Sequence, residues 1–311
     1  MAGRVLSIGE CMVELRQAEG GLLRQGFAGD SFNTAYYVRA FLPAARPVDY
    51  FTAVGTDTIS DEMLAFIEGT EVGTGFIRRV PGRSPGLYMI HLKDGERSFS
   101  YWRSASAARL LADDPSALRA AIDASEVIFF SGITLAILAP EAVETLLGEL
   151  GRAKAAGKLV AFDPNIRPRL WDDAETMRRT ITSGAAASSL VMPSFEDEAT
   201  HFGDTSVDAT IARYRAAGAN RLVVKNGAEG ITLSFDGEQT FAAAATATRI
   251  VDTTGAGDSF NGAFLANYLQ TGDHRAAAGF AANVAAAVIG HHGALVGRAE
   301  IGAPGATAQP G

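Results

Sequence analysis

The chain has 311 residues, of which 47% are hydrophobic and 20% charged, with 34 Gly and 11 Pro. That balance is typical of a globular protein with one large core or two modest ones, and it excludes a disordered or fibrous chain. The net charge of -8 at pH 7, without a basic cluster, predicts no nucleic-acid partner.

The N-terminal segment MAGRVLSIGECMVEL contains a short apolar run that soon reaches Glu10. This run is too short and too polar for a signal peptide or a membrane-spanning helix, so we expect a cytoplasmic protein without a membrane partner. The single cysteine, Cys11, excludes a disulfide framework and a cysteine-based zinc site, and it is better explained as a packed small residue than as a nucleophile.

Short apolar runs rich in Val, Ile and Phe alternate with longer helical patterns along most of the chain. This alternation predicts a parallel sheet with helices on both faces, in which ligands bind at the carboxyl ends of the strands. The predicted strands are residues 4–9, 48–55, 127–132, 158–163, 189–194 and 221–227, and the clearest predicted helices are 140–157 and 208–219.

Residues 76–103 break the alternation, because FIRRVPGRSPGLYMIHLKDGERSFSYWR holds two alternating strands around the turn KDGE. A hairpin inserted into a parallel α/β domain commonly acts as a lid. A decorative edge hairpin would give the same pattern. At the other end, residues 302–311 contain only Gly, Ala, Pro, Thr and Gln without periodicity, which predicts a disordered tail.

The stretch DTTGAGDSFNGAF, residues 252–264, places two glycines and an acid directly before a predicted helix. Gly255 and Gly257 allow backbone conformations closed to other residues and a close approach to a ligand. The amides of Gly255, Ala256 and Gly257 at a helix N-terminus would form an anion hole, supported by the helix dipole. Asp258 is either a helix N-terminal acid that contributes about 0.3–1 kcal/mol or a base for a hydroxyl attacking a phosphoryl group.

Other nucleotide motifs are absent from the sequence. A dinucleotide fingerprint would need glycine at position 260, where Phe260 stands, and a Walker loop would need Ser or Thr after Lys158. Phosphoryl transfer needs donors for the developing negative charge and a base for the nucleophile, and residues 255–258 offer both.

These residues resemble the C-terminal signature of the PfkB, or ribokinase-like, family of carbohydrate kinases. GFAGDSFNTAYYVRA (26–40) is similar to that family's sugar-binding segment and AVGTDTISDEML (53–64) to its next block, so the resemblance covers about residues 4–300. It implies one domain over residues 1–301, with a three-layer α/β/α architecture and a mostly parallel central sheet. It also implies a small β-sheet lid inserted from about 10–16 and 76–103, and a homo-oligomer formed through that lid.

The resemblance implies an ATP-dependent kinase that uses Mg²⁺, with Asp258 as the base and Gly255, Ala256 and Gly257 as the anion hole. The implied sugar-binding residues are Gly29, Asp30, Asn33, Tyr88, Tyr101, Arg103 and Arg167. The implied nucleotide-binding residues are Asn165, Arg167, Lys225, Gly227, Gly230 and Asn283. Structural alternatives stay open, since Asp30 and Asn33 could start a helix, Tyr88 and Tyr101 could be a packing pair, and Lys225 could be solvated.

One departure from the family concerns the metal. Many members carry N-x-x-E, whereas PSFEDE has Ser194 in place of the asparagine and Asp197 or Glu198 as the acid, so no metal ligand is assigned. A monovalent-cation requirement is also left open. Within the family, IGECMVEL, SPGLYMI and DPNIRPRLW are most similar to kinases of a six-carbon keto-deoxy sugar acid. A kinase for a neutral sugar such as fructose or ribose and a non-catalytic sensor are the alternatives, although a sensor has no need of a base.

Overall fold

The computed structural model describes residues 3–93 and 96–301, so the predicted tail at 302–311 and the centre of the KDGE turn lie outside the described residues. In chain order the strands are β1 Val5–Ile8, β2 Met12–Gln17, β3 Leu23–Ala28, β4 Val48–Phe51, β5 Ala53–Val54, β6 Arg78–Arg79, β7 Leu87–Lys93, β8 Glu96–Trp102, β9 Val127–Ser131, β10 Leu159–Asp163, β11 Leu190–Val191, β12 Arg221–Lys225, β13 Ile231–Phe235 and β14 Glu238–Ala242. The α-helices are α1 Asp30–Phe41, α2 Thr58–Gly69, α3 Pro115–Asp123, α4 Gly132–Ala136, α5 Pro140–Ala155, α6 Ala174–Ala186, α7 Phe195–Phe202, α8 Val207–Ala216, α9 Ala256–Thr271, α10 His274–Val288 and α11 Arg298–Ile301.

The large sheet has the strand order β14-β13-β12-β11-β10-β9-β1-β4. Its strands from β4 to β12 pair in parallel, and β13 and β14 add two antiparallel strands at one edge. This arrangement confirms the predicted ribokinase-like α/β fold with a mostly parallel central sheet. The predicted strand 48–55 divides at Thr52, because its second part leaves the large sheet and pairs with β6.

Alternating residues of the central strands pack into two separate hydrophobic cores. In β9, Val127 and Phe129 point into one core, whereas Ile128 and Phe130 point into the other. Helices α1, α2, α9 and α10 cover the first face, and α3 to α6 with α8 cover the second. The period-two pattern of a buried strand therefore produces the three layers. None of the described helices has the length and apolar character needed to cross a membrane.

The small sheet, which we call the lid after the prediction, has the strand order β3-β2-β7-β8. Strand β2 pairs antiparallel with β3 and parallel with β7, and β7 pairs antiparallel with β8. The strands that form this sheet differ from the predicted lid segments in two ways. Strand β3 belongs to it although no strand was predicted there, and β6 lies outside it because β6 pairs with β5. The chain leaves β3 through Gly29 and enters α1, so the lid joins the first helix directly.

Candidate active site

A cavity of about 1050 Å³ opens at the carboxyl ends of the parallel strands and is bordered by the lid. Fourteen of the predicted site residues line it, namely Gly29, Asp30, Asn33, Tyr88, Tyr101, Asn165, Arg167, Lys225, Gly227, Gly230, Gly255, Ala256, Gly257 and Asp258. Two predicted residues, Arg103 and Asn283, do not line it. The fold therefore gathers residues from the lid, from strand ends and from two helix N-termini around one space.

The N-terminus of α9 opens into the cavity. Gly255 has φ 76° and a Cβ there would lie 2.8 Å from the carbonyl oxygen of Ala294, so both the backbone conformation and the packing favour glycine. At Gly257 the nearest atom to such a Cβ is Lys225 Nζ at 4.0 Å, which leaves the space beside this glycine open. The Ala256 amide makes a long turn bond of 3.3 Å to the Thr253 carbonyl. The positive end of the helix dipole thus faces the cavity.

Asp258, in the first turn of α9, is held by an asparagine from α1. Asn33 Nδ2 donates to Asp258 Oδ2 at 2.8 Å, and Asn33 Oδ1 accepts from the Gly29 amide at 3.3 Å. Burial, and then the nearby carboxylate of Asp30, raise the pKa of Asp258 to about 7, although the Asn33 hydrogen bond lowers it. A carboxylate with a pKa near neutrality is suited to accept a proton at physiological pH.

The N-terminus of α1 meets the end of β10 at the same cavity. Asn165 Nδ2 donates to Asp30 Oδ2 at 2.8 Å, and the Asn165 amide donates to Asp163 Oδ1 at 3.0 Å. Asn165 has φ 35°, a strained conformation that these two contacts hold in place. At Gly29 any Cβ would lie 2.0 Å from the carbonyl oxygen of Glu10, so only glycine allows this close approach.

Two arginines were predicted to contact the substrate. Of these two, Arg167 lines the cavity and Arg103 does not. Arg167 lines the cavity with its side chain 53% exposed, and its Nη1 lies 3.8 Å from Asp197 Oδ2. Arg103 is 10% exposed and forms an ion pair with Glu10, which is 1% exposed. Burial raises the pKa of Glu10, whereas the charge of Arg103 lowers it. Glu10 was not predicted as a site residue, because nothing in IGECMVEL indicates that it meets an arginine 93 positions later.

Part of the cavity lining consists of small apolar side chains, which we call the apolar wall. Asn283, predicted to lie near the adenine, is exposed and donates to the Gly279 carbonyl at 2.9 Å on another side of α10. Alanines of the same helix and residues after β14 line the cavity instead. These unpredicted lining residues are Ala244, Ala245, Ala247, Ile250, Ala282, Ala285, Ala286 and Ile289. Small apolar side chains give no chemical signal in a sequence, so only the three-dimensional structure identifies this wall.

In the stretch PSFEDE, Asp197 faces the cavity and Glu198 does not. Asp197 lines the cavity, and burial raises its pKa. Glu198 points into the core, where Arg213 Nη2 and Tyr214 Oη donate to it at 2.6 and 2.9 Å. Within residues 3–93 and 96–301, no group of three His, Cys, Asp or Glu side chains could hold a metal ion. Mg²⁺ is usually held by one or two carboxylates together with substrate phosphates, and Asp197 fits that limited role.

Comparisons with known proteins identify the family and agree with the fold. A family model described as "pfkB family carbohydrate kinase" matches residues 2–300. The chain is 37% identical to the 2-dehydro-3-deoxygluconokinase of Escherichia coli strain K12, over 96% of this chain and 98% of that protein. It is 38% identical to the 2-dehydro-3-deoxygluconokinase of Dickeya dadantii, over 93% of this chain and 95% of that protein. A putative ribokinase II from E. coli, solved in complex with ATP and Mg²⁺, superimposes with a TM-score of 0.81 at 22% identity over 95% of each chain.

Proposed function

The chain belongs to the pfkB family of carbohydrate kinases, and from that premise we propose that it transfers the γ-phosphoryl group of ATP to 2-keto-3-deoxygluconate. The acceptor would be the terminal (6-) hydroxyl, and the product 2-keto-3-deoxy-6-phosphogluconate. The observation that carries the choice of substrate is the near full-length similarity to two relatives named 2-dehydro-3-deoxygluconokinase. The alternative of a non-catalytic sensor has less support, because the base and the glycines of the anion hole are all present.

The proposed chemistry takes place at the N-terminus of α9. Asp258 accepts the proton of the terminal hydroxyl while that oxygen forms a bond to the γ-phosphorus and the bond from phosphorus to the leaving ADP breaks. Negative charge that develops on the phosphoryl oxygens is stabilised by the helix N-terminus at Gly255 and Gly257 and by the ammonium of Lys225. The proposal is supported by the shared cavity that these groups line.

The sugar acid would lie between the lid and α1. Tyr88 and Tyr101, whose ring centroids are 6.0 Å apart, offer flat faces, and Asp30 and Asn33 offer hydrogen-bonding groups. Arg167 is the guanidinium in the cavity lining, and a guanidinium can bind a carboxylate through two parallel hydrogen bonds.

We also propose Arg103 as a second contact for the sugar acid, although Arg103 does not line the cavity. Arg103 Nε is buried without a hydrogen-bond partner among the described residues. Such unpaired groups cost free energy unless a ligand or water satisfies them. A carboxylate that entered beside the pair would compete with Glu10 for the guanidinium.

ATP would occupy the part of the cavity between β12 and α10. The apolar wall that includes Ala282, Ala285 and Ile289 suits a flat heteroaromatic ring, and the loop from Gly227 to Gly230 follows Lys225. Asp197 is the residue that we propose to contact Mg²⁺, and the bound metal would neutralise phosphate charge. The predicted roles of Asn165, Gly227, Gly230 and Asn283 in nucleotide binding stay predictions, with Asn283 the least supported by its position.

A kinase of a neutral sugar is the second candidate. Its support is the Glu10–Arg103 ion pair, because Glu10 neutralises one of the two positive charges that a carboxylate-containing substrate would use. The two candidates therefore differ in how strongly the cavity favours a negatively charged substrate over a neutral one.

The test is ATP turnover with Mg²⁺ against 2-keto-3-deoxygluconate, gluconate, fructose and ribose, with the product identified by ³¹P and ¹³C NMR. We expect 2-keto-3-deoxygluconate to have a kcat/KM at least about tenfold above the neutral sugars, the scale of one charge-assisted contact, and to be phosphorylated on its terminal hydroxyl. A higher kcat/KM for fructose or ribose would favour the second candidate, and no acceptor at all would favour the sensor.

We also propose that two copies of the chain associate through their lids in the cytoplasm. The supporting observation is that large apolar side chains are exposed on or next to the two edge strands of the small sheet, with Leu22 69%, Leu23 48% and Trp102 59% exposed. Exposed large apolar side chains can mark a protein–protein contact. A second copy would cover them by presenting the same surface, as in most homodimers.

A further inference from the structure

Three side chains from separate elements form a closed set of contacts at the floor of the cavity. Lys225 Nζ lies 3.2 Å from Asp163 Oδ2 and donates to Asn261 Oδ1 at 3.1 Å. Asn261 Nδ2 donates to the same Asp163 Oδ2 at 2.6 Å. Asp163 ends β10, Lys225 ends β12 and Asn261 lies in the second turn of α9, so this triad connects the sheet to the helix that carries the base.

The triad is shielded from solvent, but the lysine still reaches the cavity. Asn261 is fully buried, Asp163 is 6% exposed, and the Lys225 side chain is 15% exposed. Lysine has three N–H donors, and Asp163 and Asn261 take two of them. Lys225 Nζ is also the atom nearest to a Cβ placed on Gly257, at 4.0 Å. The ammonium therefore lies beside the α9 N-terminus with one donor still available there.

We infer that Asp163 and Asn261 are positioning residues that hold Lys225 so that its third N–H is directed at the phosphoryl group being transferred. The inference rests on the proposed function. A lysine side chain is flexible and loses rotamer entropy when it is fixed. Two buried partners impose that order before ATP binds, and a charge held in place in advance stabilises a transition state without reorganisation at the moment of reaction.

If the triad had a purely structural role, it would connect β10, β12 and α9 without affecting how Lys225 acts in catalysis. The two roles predict different results in a double-mutant cycle, because a positioning residue has no effect on catalysis once the group that it positions is gone. The variants are Asn261→Ala, Lys225→Met and the double variant. Asn267→Ala is the matched control, since Asn267 lies on the same helix and its Oδ1 accepts from Thr271.

The first experiment measures kcat with saturating ATP and the best acceptor of the substrate panel. We expect Lys225→Met to lower kcat roughly 10²–10³-fold, the usual effect of losing one transition-state donor, and Asn261→Ala to lower it about tenfold or more. The double variant should be no slower than Lys225→Met, and Asn267→Ala should match the wild type. Additive effects in the double variant, or an unchanged kcat in Lys225→Met, would overturn the inference.

The second experiment needs no acceptor, so it separates this inference from the choice of substrate. Calorimetry measures the binding of ADP and of the β,γ-imido analogue of ATP, each with Mg²⁺. Asn261→Ala should weaken the analogue about tenfold and leave ADP within about twofold, the effect of one charge-assisted contact. Equal weakening of both nucleotides, or of neither, would contradict the inference. If Asn261→Ala fails to fold, Asp163→Asn takes its place in both experiments.

Discussion

Asn33 and Asp258, which are 225 positions apart in the chain, meet through a 2.8 Å hydrogen bond from Nδ2 to Oδ2. The contact joins α1 to α9 at the point where the cavity is reached, and the Gly29 amide fixes the other end of the Asn33 side chain. Because Oδ2 takes this bond, Oδ1 is the oxygen that we expect to accept the hydroxyl proton. The position and the basicity of the proposed base thus depend on a residue of the predicted sugar-binding segment.

Replacing Asp258 with Asn keeps the shape of the side chain and removes the base. Turnover should fall roughly 10²–10⁴-fold, while calorimetry should find the affinity for ADP near that of the wild type. Asp208→Asn is the control, because Asp208 is also an acid in the first turn of a helix but is exposed and does not line the cavity. Near-normal turnover in Asp258→Asn would leave the acid with only a helix-terminal role.

The pH dependence of kcat/KM should report the same carboxyl group. Burial and the charge of Asp30 raise the pKa of Asp258 to about 7, and the base acts only when ionised, so kcat/KM should fall tenfold per pH unit below that value. The Asn33 hydrogen bond favours the ionised form, and Asn33→Ala should therefore move this limb to higher pH. A limb that stays in place in Asn33→Ala would mean that another group controls the profile.

The raised pKa also has a consequence for stability. The folded protein binds the Asp258 proton more tightly than the unfolded chain does, so this group makes the protein less stable as the pH rises from about 4 to about 7. Asp258→Asn removes the cost, which is of the order of 1–4 kcal/mol at pH 8. Its melting temperature should exceed that of the wild type at pH 8, and the difference should shrink toward pH 5.

A second buried acid does not obscure that comparison. Glu198, whose pKa burial raises to about 7, is present in both proteins, and its contribution cancels in the difference. Equal melting temperatures of the two proteins at every pH would show that Asp258 carries no such cost.

Arg167→Lys should weaken the binding of a carboxylate-containing substrate, because lysine cannot form two parallel hydrogen bonds to it. We expect the KM for 2-keto-3-deoxygluconate to rise about ten- to a hundredfold, as for the loss of a contact worth about 1.5–3 kcal/mol, with little change for neutral sugars. Arg103→Lys should raise the same KM if Arg103 reaches the acid, and should otherwise affect only stability through Glu10. Steady-state kinetics with both substrate types distinguish these results.

The lid surface should control assembly. In sedimentation velocity the wild type should behave as a dimer or a multiple of one, and Trp102→Glu with Leu22→Glu should shift it to the monomer, because charge on an apolar contact surface must be desolvated. Phe241→Glu is the control, since Phe241 is 53% exposed but lies on β14 of the large sheet. A wild-type monomer with full activity would contradict assembly through the lid.

Regular patterns in the sequence predicted most of the framework. The runs that form β1, β9, β10 and β12 were recognised because buried parallel strands are continuously apolar. Strand β3 was missed because LRQGFA is half polar and contains Gly26, as suits a strand at the edge of a small exposed sheet. The division of 48–55 at Thr52 was missed because the partner of its second half is the short, polar β6.

The site was predicted to the extent that its chemistry lies in short motifs. Gly255, Gly257 and Asp258 were found from local spacing, and the structure brings them to one cavity with Asn33. Contacts between segments that are far apart in the sequence leave no local motif, so they were not predicted. The ion pair of Arg103 with Glu10 spans 93 positions and the hydrogen bond from Asn261 to Asp163 spans 98, and both depend on how strands and helices pack.

The distance in sequence between Asn33 and Asp258 also sets an order of events during synthesis. At about 5–20 residues per second, the ribosome would add Asp258 roughly 11–45 s after Asn33, given the 225 positions between them. A nascent chain in that interval contains the predicted sugar-binding segment but neither the proposed base nor the proposed anion hole. Phosphoryl transfer can therefore begin only after α9 has been made and has docked on α1.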